Sequence, residues 1–167
     1  MELNSPSPEA RPEGFRRVAA ALAGRRHPHA PVWLEVSART SAEAADALGV
    51  EVGQIAKSVI FRRRADDRAV LVVTSGDRRV DEAKVEALVG AIRRADAEFV
   101  KASTGFSIGG VAPIAHTREP VVLVDRDLLR FETVWAAAGH PNGVFPVAPR
   151  TLAQWCETPL SDVVRVP

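Results

Sequence analysis

The chain has 167 residues, a formal net charge of +1 and an apolar content of 46%, and this length allows one globular domain with a sizeable core. The nearly neutral charge argues against a general nucleic-acid coat protein, and no apolar run approaches the ~20 residues that a membrane span needs. Cys156 is the sole cysteine, so an internal disulfide is excluded, which fits a reducing cytoplasm. The polar residues 1–17 lack the apolar core of a signal peptide. We therefore predict a cytoplasmic protein without a membrane partner.

Hydrophobic periodicity and end signals predict short helices and strands in one domain covering residues 1–167. Residues 1–10 are expected to be a frayed lead-in. In chain order, the predicted elements are a helix at 12–25, a strand at 31–36, a capping box at 40–43 that continues into a short helix at 44–48 ended by Gly49, strands at 55–62 and 69–74, a helix at 81–88, a helix between the cap Asp96 and Gly105, strands at 121–125, 133–136 and 144–147, and a helix at 149–156. This order predicts an α+β fold in which short helices surround a mixed, partly barrel-like sheet.

Lys57 interrupts an otherwise apolar face of the predicted strand 55–62. Because strand side chains alternate, Ile55, Lys57, Val59 and Phe61 share that face. A lysine there either lays its stem on the core while its ammonium reaches water, or holds an anionic group at the rim of an apolar pocket. The strand pattern leaves both interpretations open.

The segment 101–116 is the most constrained part of the sequence. Its glycines and proline are interleaved with apolar residues: Gly105, Phe106, Ile108, Gly109, Gly110, Val111, Pro113 and Ile114. Glycines allow neighbouring N–H groups to converge on one point without obstruction by a Cβ atom. The segment is therefore either a tight structural corner or a backbone-lined site for an oxyanion or a phosphate.

Three further polar residues are candidates for the same site. Asp125 ends an apolar strand, where it would either face a ligand or cap the turn that follows. His116 would act as a base or, as we favour, cap the loop by a hydrogen bond, and His140 lies in a second glycine-bearing loop at 139–143. The chain has no Gly-x-Ser-x-Gly elbow, so we favour chemistry with a bound water, backbone donors and one cation. It also lacks Cys-x-x-Cys and His-Glu-x-x-His motifs, and we predict neither a metal nor another cofactor.

Two segments resemble the YbaK family of aminoacyl-tRNA deacylases, which is related to the editing domain inserted in bacterial prolyl-tRNA synthetases. They are IAKSVIF at 55–61 and GFSIGGVAP at 105–113, and the similarity runs from about 41 to 155. The resemblance assigns the strand lysine of the family to Lys57, a pocket aspartate to Asp125 and a histidine-bearing loop to His140. It assigns the Gly-x-x-x-Pro motif to Gly109, Gly110, Val111, Ala112 and Pro113. Ala115 and His116 stand where members of the family carry glycine.

The resemblance implies a free-standing enzyme that hydrolyses the ester of mischarged tRNA(Pro) carrying alanine, serine, cysteine or 2-aminobutyrate. Catalysis is expected from Lys57 and the backbone of residues 109–113, and substrate contacts from Phe106, His116, Asp125 and His140. The implied partners are aminoacyl-tRNA and, further, prolyl-tRNA synthetase or an elongation factor. Two alternatives remain open: a non-catalytic binding module of the same fold, and a small-molecule ester hydrolase.

Overall fold

The structure is a computed structural model that describes residues 10–167. Its α-helices are α1 (Glu13–Gly24), α2 (Ser41–Leu48), α3 (Glu82–Val89), α4 (Ala97–Thr104) and α5 (Pro149–Trp155). Its strands are β1 (Val32–Trp33), β2 (Ile55–Arg63), β3 (Ala69–Ser75), β4 (Ile92–Arg94), β5 (Val121–Asp125), β6 (Val134–Ala137), β7 (Gly143–Val147) and β8 (Leu160–Ser161). Residues 1–9 of the expected frayed lead-in lie outside the described part of the chain.

The predicted α+β class with a mixed sheet is confirmed, because all eight strands join one sheet with parallel and antiparallel pairs. The strand order is β1-β7-β6-β2-β3-β5-β8, and β4 pairs with β2 beside this path. The short strands β4 and β8 were not predicted. Helix ends follow the sequence signals: Thr40 and Glu43 form a capping box on α2, and Asp96 caps α4.

The central strand β3 is buried along its whole length and separates two apolar clusters. Val70 and Val72 pack on one side with residues of α3, β4 and β5. Leu71 and Val73 belong to the larger cluster on the other side, which contains Phe106 of the glycine-rich segment. The sheet is therefore covered by apolar side chains on both faces at its centre.

A gap in strand pairing interrupts one edge of β2. The parallel ladder with β6 ends at the pair Ala56–Ala136, and the antiparallel ladder with β4 begins at the pair Phe61–Arg94. Between these ends, residues 57–60 have a strand neighbour on the β3 side alone. We call this interval the β2 gap, and it determines where the candidate site lies.

Candidate active site

A cleft of about 320 Å³ lies at the β2 gap. Two loops form much of its wall: the glycine loop, residues 105–116, and the histidine loop, residues 138–143. The rest of the wall comes from β2, α2 and the segment 38–40 before it, α4 and Ala95 before it, β6 and β7. The cleft is lined by, among others, Arg39, Ser41, Ala56, Lys57, Ser58, Ile60, Ala95, Val100, Gly109, Val111, Ala136 and His140. Of the residues predicted to form the site, Lys57, Gly109, Val111 and His140 are thus brought together.

Lys57 lies on the strand face that the sequence predicts, together with Val59 and Phe61. It pairs with Thr74, so its side chain shares the face that carries Val72. Ile60 lies on the opposite face and packs with the cluster that contains Val111 of the glycine loop. Lys57 and the glycine loop therefore line one cleft from opposite faces of β2, on either side of the gap.

The Lys57 ammonium has no carboxylate partner within hydrogen-bonding distance among residues 10–167. Burial lowers the pKa of Lys57, and the nearby positive charge of Arg79 lowers it further, whereas Asp77 acts in the opposite direction. Asp77 is itself held by Arg130 at 2.8 Å. A compact, partly desolvated cation of this kind is suited to binding an anionic group.

The glycines of the glycine loop have different functions. Gly109 adopts a positive φ of +95°, which a residue with a side chain rarely accepts. The Gly110 N–H donates to the Ser107 carbonyl at 3.0 Å and so closes a turn. The Gly110 N–H is therefore already engaged, and the expectation that it stabilises an oxyanion is not supported. The N–H groups of Gly109 and Val111, by contrast, have no partner among the hydrogen bonds of the described residues.

Ala112 and Pro113 face away from the cleft. Ala112 is fully buried in the core, and its carbonyl is 2.7 Å from His116 Nε2. The Pro113 carbonyl accepts a weak hydrogen bond from the Cys156 thiol, with the sulfur 3.7 Å away. These contacts do not support a direct role of either residue in the site. Both residues instead hold the glycine loop on the side that faces the core.

His116 and Phe106 also lie outside the cleft lining. Burial lowers the pKa of His116, so the ring is neutral near pH 7 and its Nε2–H donates to the Ala112 carbonyl. Phe106 is buried in the core, and its ring centroid is 6.0 Å from that of His116. These placements support the loop-capping interpretation of His116 and do not support direct substrate contacts for either residue.

Asp125 is fully buried and does not line the cleft. Its two carboxylate oxygens accept hydrogen bonds from the Val163 N–H at 3.1 Å and the Asp127 N–H at 3.0 Å. Burial raises the pKa of Asp125, and these two hydrogen bonds oppose that effect. These contacts support the turn-capping interpretation and do not support a direct substrate contact for Asp125, because the carboxylate caps the turn after β5 and accepts a hydrogen bond from the C-terminal segment.

His140 lies in the cleft wall with a defined tautomer. Its Nδ1 accepts a hydrogen bond from the Asn142 N–H at 3.0 Å, so the proton of the neutral ring is on Nε2. Burial lowers the pKa of His140, and the positive charge of Arg39 lowers it further. The ring stacks on Trp33 with centroids 4.9 Å apart. His140 therefore presents a neutral N–H donor.

Arg17 holds the glycine loop and was not found from the sequence. Its Nε donates to the Ala115 carbonyl at 2.8 Å, and its Nη2 donates to the Thr104 carbonyl at 2.9 Å. Its guanidinium also lies 4.2 Å from the centroid of the Phe106 ring. Ala115 has a positive φ of +67°, an uncommon conformation that needs support from its surroundings. One side chain of α1 thus fixes both ends of the loop.

Arg39 is a second cation that the sequence did not single out. It precedes α2, lines the cleft, and its Cγ lies 4.0 Å from the position that a Cβ on Gly109 would occupy. No salt bridge engages its guanidinium in the described part of the chain. The cleft wall therefore carries two cations, Lys57 and Arg39, and neither forms a salt bridge within residues 10–167.

Residues 10–167 contain neither a metal-binding cluster nor a membrane-spanning helix. No group of three or more His, Cys, Asp or Glu side chains in that range could hold a metal ion. None of the helices described there is both long and apolar enough to cross a membrane.

Comparisons with known proteins bear on this cleft. Residues 35–154 match the aminoacyl-tRNA editing domain family. The protein YwhH of Bacillus subtilis is 35% identical over 122 residues, which are 72% of this chain and 77% of YwhH. The proline–tRNA ligase of Bacillus licheniformis is 38% identical over 91 residues, which are 53% of this chain and 16% of the ligase.

A solved structure of a protein proposed to be a trans-editing enzyme for prolyl tRNA synthetase superimposes with a TM-score of 0.86. The two chains are 39% identical, and the match covers 94% of this chain and 100% of the other. The residues that carried the resemblance, at 55–61 and 105–113, lie within the family match. The chain therefore belongs to the aminoacyl-tRNA editing domain family.

Proposed function

We propose that the protein is a free-standing deacylase that hydrolyses the ester of mischarged tRNA(Pro) carrying alanine, serine, cysteine or 2-aminobutyrate. The observation that carries the proposal is the composition of the cleft. One volume of about 320 Å³ is surrounded by Lys57, by the N–H groups of Gly109 and Val111, and by the neutral donor of His140. Within residues 10–167, Lys57 has no carboxylate partner and the two N–H groups have no acceptor. Family membership and the likeness to a proposed trans-editing enzyme support the same class of reaction.

The chemistry is addition of water to the ester carbonyl. The new bond joins the water oxygen to the carbonyl carbon, the bond to the ribose oxygen breaks, and that oxygen leaves with a proton. The negative oxygen formed on the way would be stabilised by the N–H groups of Gly109 or Val111, and one such donor is typically worth about 3 kcal/mol of barrier. His140 adds a further donor from the opposite loop.

The described residues that line the cleft include no carboxylate that could act as a base for this water. His140 presents its protonated nitrogen, because its Nδ1 is already engaged by the Asn142 N–H. We therefore infer that the reaction depends on orientation and electrostatic stabilisation, with the water proton transferred to solvent or to the substrate.

The RNA part of the substrate would be held by phosphate contacts. Lys57 and Arg39 are the two cations of the cleft wall, and they lack carboxylate partners in the described residues. Contacts to two phosphates of a single-stranded 3′ end predict a slope of about −1.4 for log K against log salt. So few contacts are compatible with a net charge of +1.

The aminoacyl part would be selected by size. Alanines at 56, 95 and 136 and valines at 100 and 111 line the cleft, so much of its apolar wall consists of small side chains. Proline has a bulkier ring and a secondary amine that presents one fewer hydrogen. A difference of one methylene gives only ~10–200-fold discrimination by fit, whereas exclusion of a larger group gives more. Prolyl-tRNA(Pro) should therefore not be hydrolysed.

The test is a deacylation panel with pure protein and tRNA(Pro) charged with proline, alanine, serine, cysteine or 2-aminobutyrate, at low and at higher salt. The proposal expects loss of at least one small amino acid and retention of proline. Retention of every amino acid would favour a non-catalytic module. Equal hydrolysis of a simple alanine ester without RNA would favour a small-molecule hydrolase.

A further inference from the structure

The peptide group of Ser58 points into the β2 gap. Peptide groups alternate along a strand between its two edges. The Arg63 N–H donates to the Arg68 carbonyl on the β3 side, and the Arg64 N–H donates to the Ala91 carbonyl on the β4 side. The β2–β3 register continues without interruption from 62 to 56. Even-numbered residues, including Ser58, therefore direct their N–H and C=O groups away from β3.

Neither strand beyond the gap can satisfy the Ser58 peptide group. The ladder with β6 ends at the Ala56–Ala136 pair, two residues before Ser58. The ladder with β4 begins at Phe61–Arg94, three residues after it. No loop or side chain among residues 10–167 makes a hydrogen bond to the Ser58 N–H or C=O. Backbone groups at such a position are satisfied by water or by a ligand.

We propose that the peptide N–H and C=O of Ser58 bind the aminoacyl part of the substrate as they would bind one residue of an added strand. This inference rests on the proposed function and identifies the Ser58 peptide group as the group that binds the amino acid. The α-amino group of the ester donates to the Ser58 carbonyl, and the ester carbonyl accepts from the Ser58 N–H. A strand residue presents the same donor and acceptor on either side of its Cα.

The length of the gap favours a single aminoacyl group over a peptide. Four residues, 57–60, lack a neighbour on this edge, and they span roughly 13 Å at ~3.3 Å per residue. Strands in globular proteins usually extend over about 17–20 Å. Ala56, Ala95 and Ala136 flank the gap within the cleft wall, which leaves room for a small side chain.

The Ser58 hydroxyl is not part of the proposed contact. Its oxygen is buried and has no hydrogen-bond partner among the described residues. Ser58 also lies on the strand face of Ile60, which packs against the main core cluster. Recognition by the peptide group and recognition by the hydroxyl therefore make different predictions for substitutions at this position.

The experiment measures binding of acceptor-stem RNA that carries a non-hydrolysable 3′-amide-linked alanyl group, or a propionyl group that lacks the amine. The wild-type protein should bind the alanyl RNA at least about 10-fold more tightly than the propionyl RNA, because the propionyl group lacks the charged amine that donates the hydrogen bond. Ser58→Ala should keep that ratio within about 3-fold, because the peptide group is unchanged. Equal affinity for the two RNAs would overturn the inference, as would loss of the ratio in Ser58→Ala.

A backbone variant gives a second test. Ser58→Pro removes an N–H that pairs with no strand, whereas Val59→Pro removes one that faces β3 and serves as the matched control for strand damage. We expect Ser58→Pro to unfold at a higher temperature than Val59→Pro and to bind the alanyl RNA about 10-fold more weakly than wild type. A folded Ser58→Pro with wild-type affinity would contradict the inference. If Ser58→Pro does not fold, the ratio of the wild-type affinities for alanyl RNA and propionyl RNA decides whether the inference holds. This binding test remains valid even if the wild type hydrolyses no tRNA.

Discussion

Gly110 packs directly against the backbone of His140: a Cβ atom at position 110 would lie 2.7 Å from the His140 Cα. The glycine loop and the histidine loop can meet at this distance because residue 110 has no side chain. The contact brings the free N–H groups of the first loop and the Nε2–H of the second into one cleft. The shape of the candidate active site thus depends on the absence of a side chain at residue 110.

Gly110→Ala should therefore separate the two loops and lower kcat/KM for alanyl-tRNA(Pro) about 10-fold or more. Overpacking of this kind typically costs about 1–3 kcal/mol of stability. Gly24→Ala is the matched control, because a Cβ at position 24 meets no atom within 4 Å and its φ is not in the left-handed region. Steady-state deacylation and thermal unfolding of both variants check this. Wild-type activity in Gly110→Ala would contradict the proposed loop contact.

Arg17→Lys should impair activity although it keeps the charge. A lysine cannot donate to the Ala115 and Thr104 carbonyls in the fixed fork geometry of a guanidinium. We expect kcat to fall about 10-fold while KM changes little, because Arg17 does not line the cleft. Added guanidinium ion should restore part of the kcat of Arg17→Ala. A rise in KM with unchanged kcat, and no rescue, would show that Arg17 does not position the loop.

Asp125→Asn tests the structural assignment of that carboxylate. One of the two oxygens becomes an NH₂ group that faces a backbone N–H, so the free energy of unfolding should fall by about 1–3 kcal/mol. Because burial raises the pKa of Asp125 in the folded protein, protonation of its carboxyl group favours the folded state at low pH, and this contribution is lost as pH rises through the folded pKa. The stability deficit of the variant, which has no carboxyl group at this position, should therefore be larger in acidic solution than at neutral pH.

Deacylation per folded Asp125→Asn molecule, measured well below its unfolding temperature, should stay within about 3-fold of wild type, because Asp125 lies outside the cleft. Unchanged stability with lost activity would instead show that Asp125 acts on the substrate rather than in the structure.

The pH dependence of the reaction reports whether a protein base takes part. With no carboxylate in the cleft wall and His140 already a donor, log kcat/KM should rise with a slope of about 1 across neutral pH. The lowered pKa of His140 keeps the ring neutral there. Toward acid pH, protonation of Nδ1 would remove the acceptor of the Asn142 N–H. A plateau with a midpoint near neutrality that disappears in His140→Ala would instead identify His140 as the base.

Local signals in the sequence were sufficient for most of the fold. The capping box of Thr40 and Glu43 and the left-handed Gly49 set both ends of α2 where they were predicted, because caps act within one turn of a helix. The strands β4 and β8 were missed because they have three and two residues. Such short segments carry almost no periodicity, and their pairing partners are distant in the chain.

The site was predicted less completely, for reasons of packing. Period two placed Lys57 on its strand face correctly, but which face meets the glycine loop depends on how the whole loop packs on β3. The role of Arg17 depends on contacts with residues up to 98 positions away, and nothing local to α1 indicates them. For Asp125, the sequence allowed a cap or a ligand, and burial against the C-terminal segment supports the cap.

The most direct test of the central claim compares wild type with Lys57→Ala and Lys57→Arg on alanyl-tRNA(Pro) and prolyl-tRNA(Pro). We predict rapid wild-type loss of alanine but not proline, and a fall of about 100-fold or more for Lys57→Ala, typical of losing a charged contact to the reacting substrate. Its unfolding temperature should change little, because a partly exposed lysine at a strand rim contributes little to stability. Lys57→Arg should also be poor, because the guanidinium is larger and differently shaped. Wild-type deacylation in a folded Lys57→Ala would contradict the account.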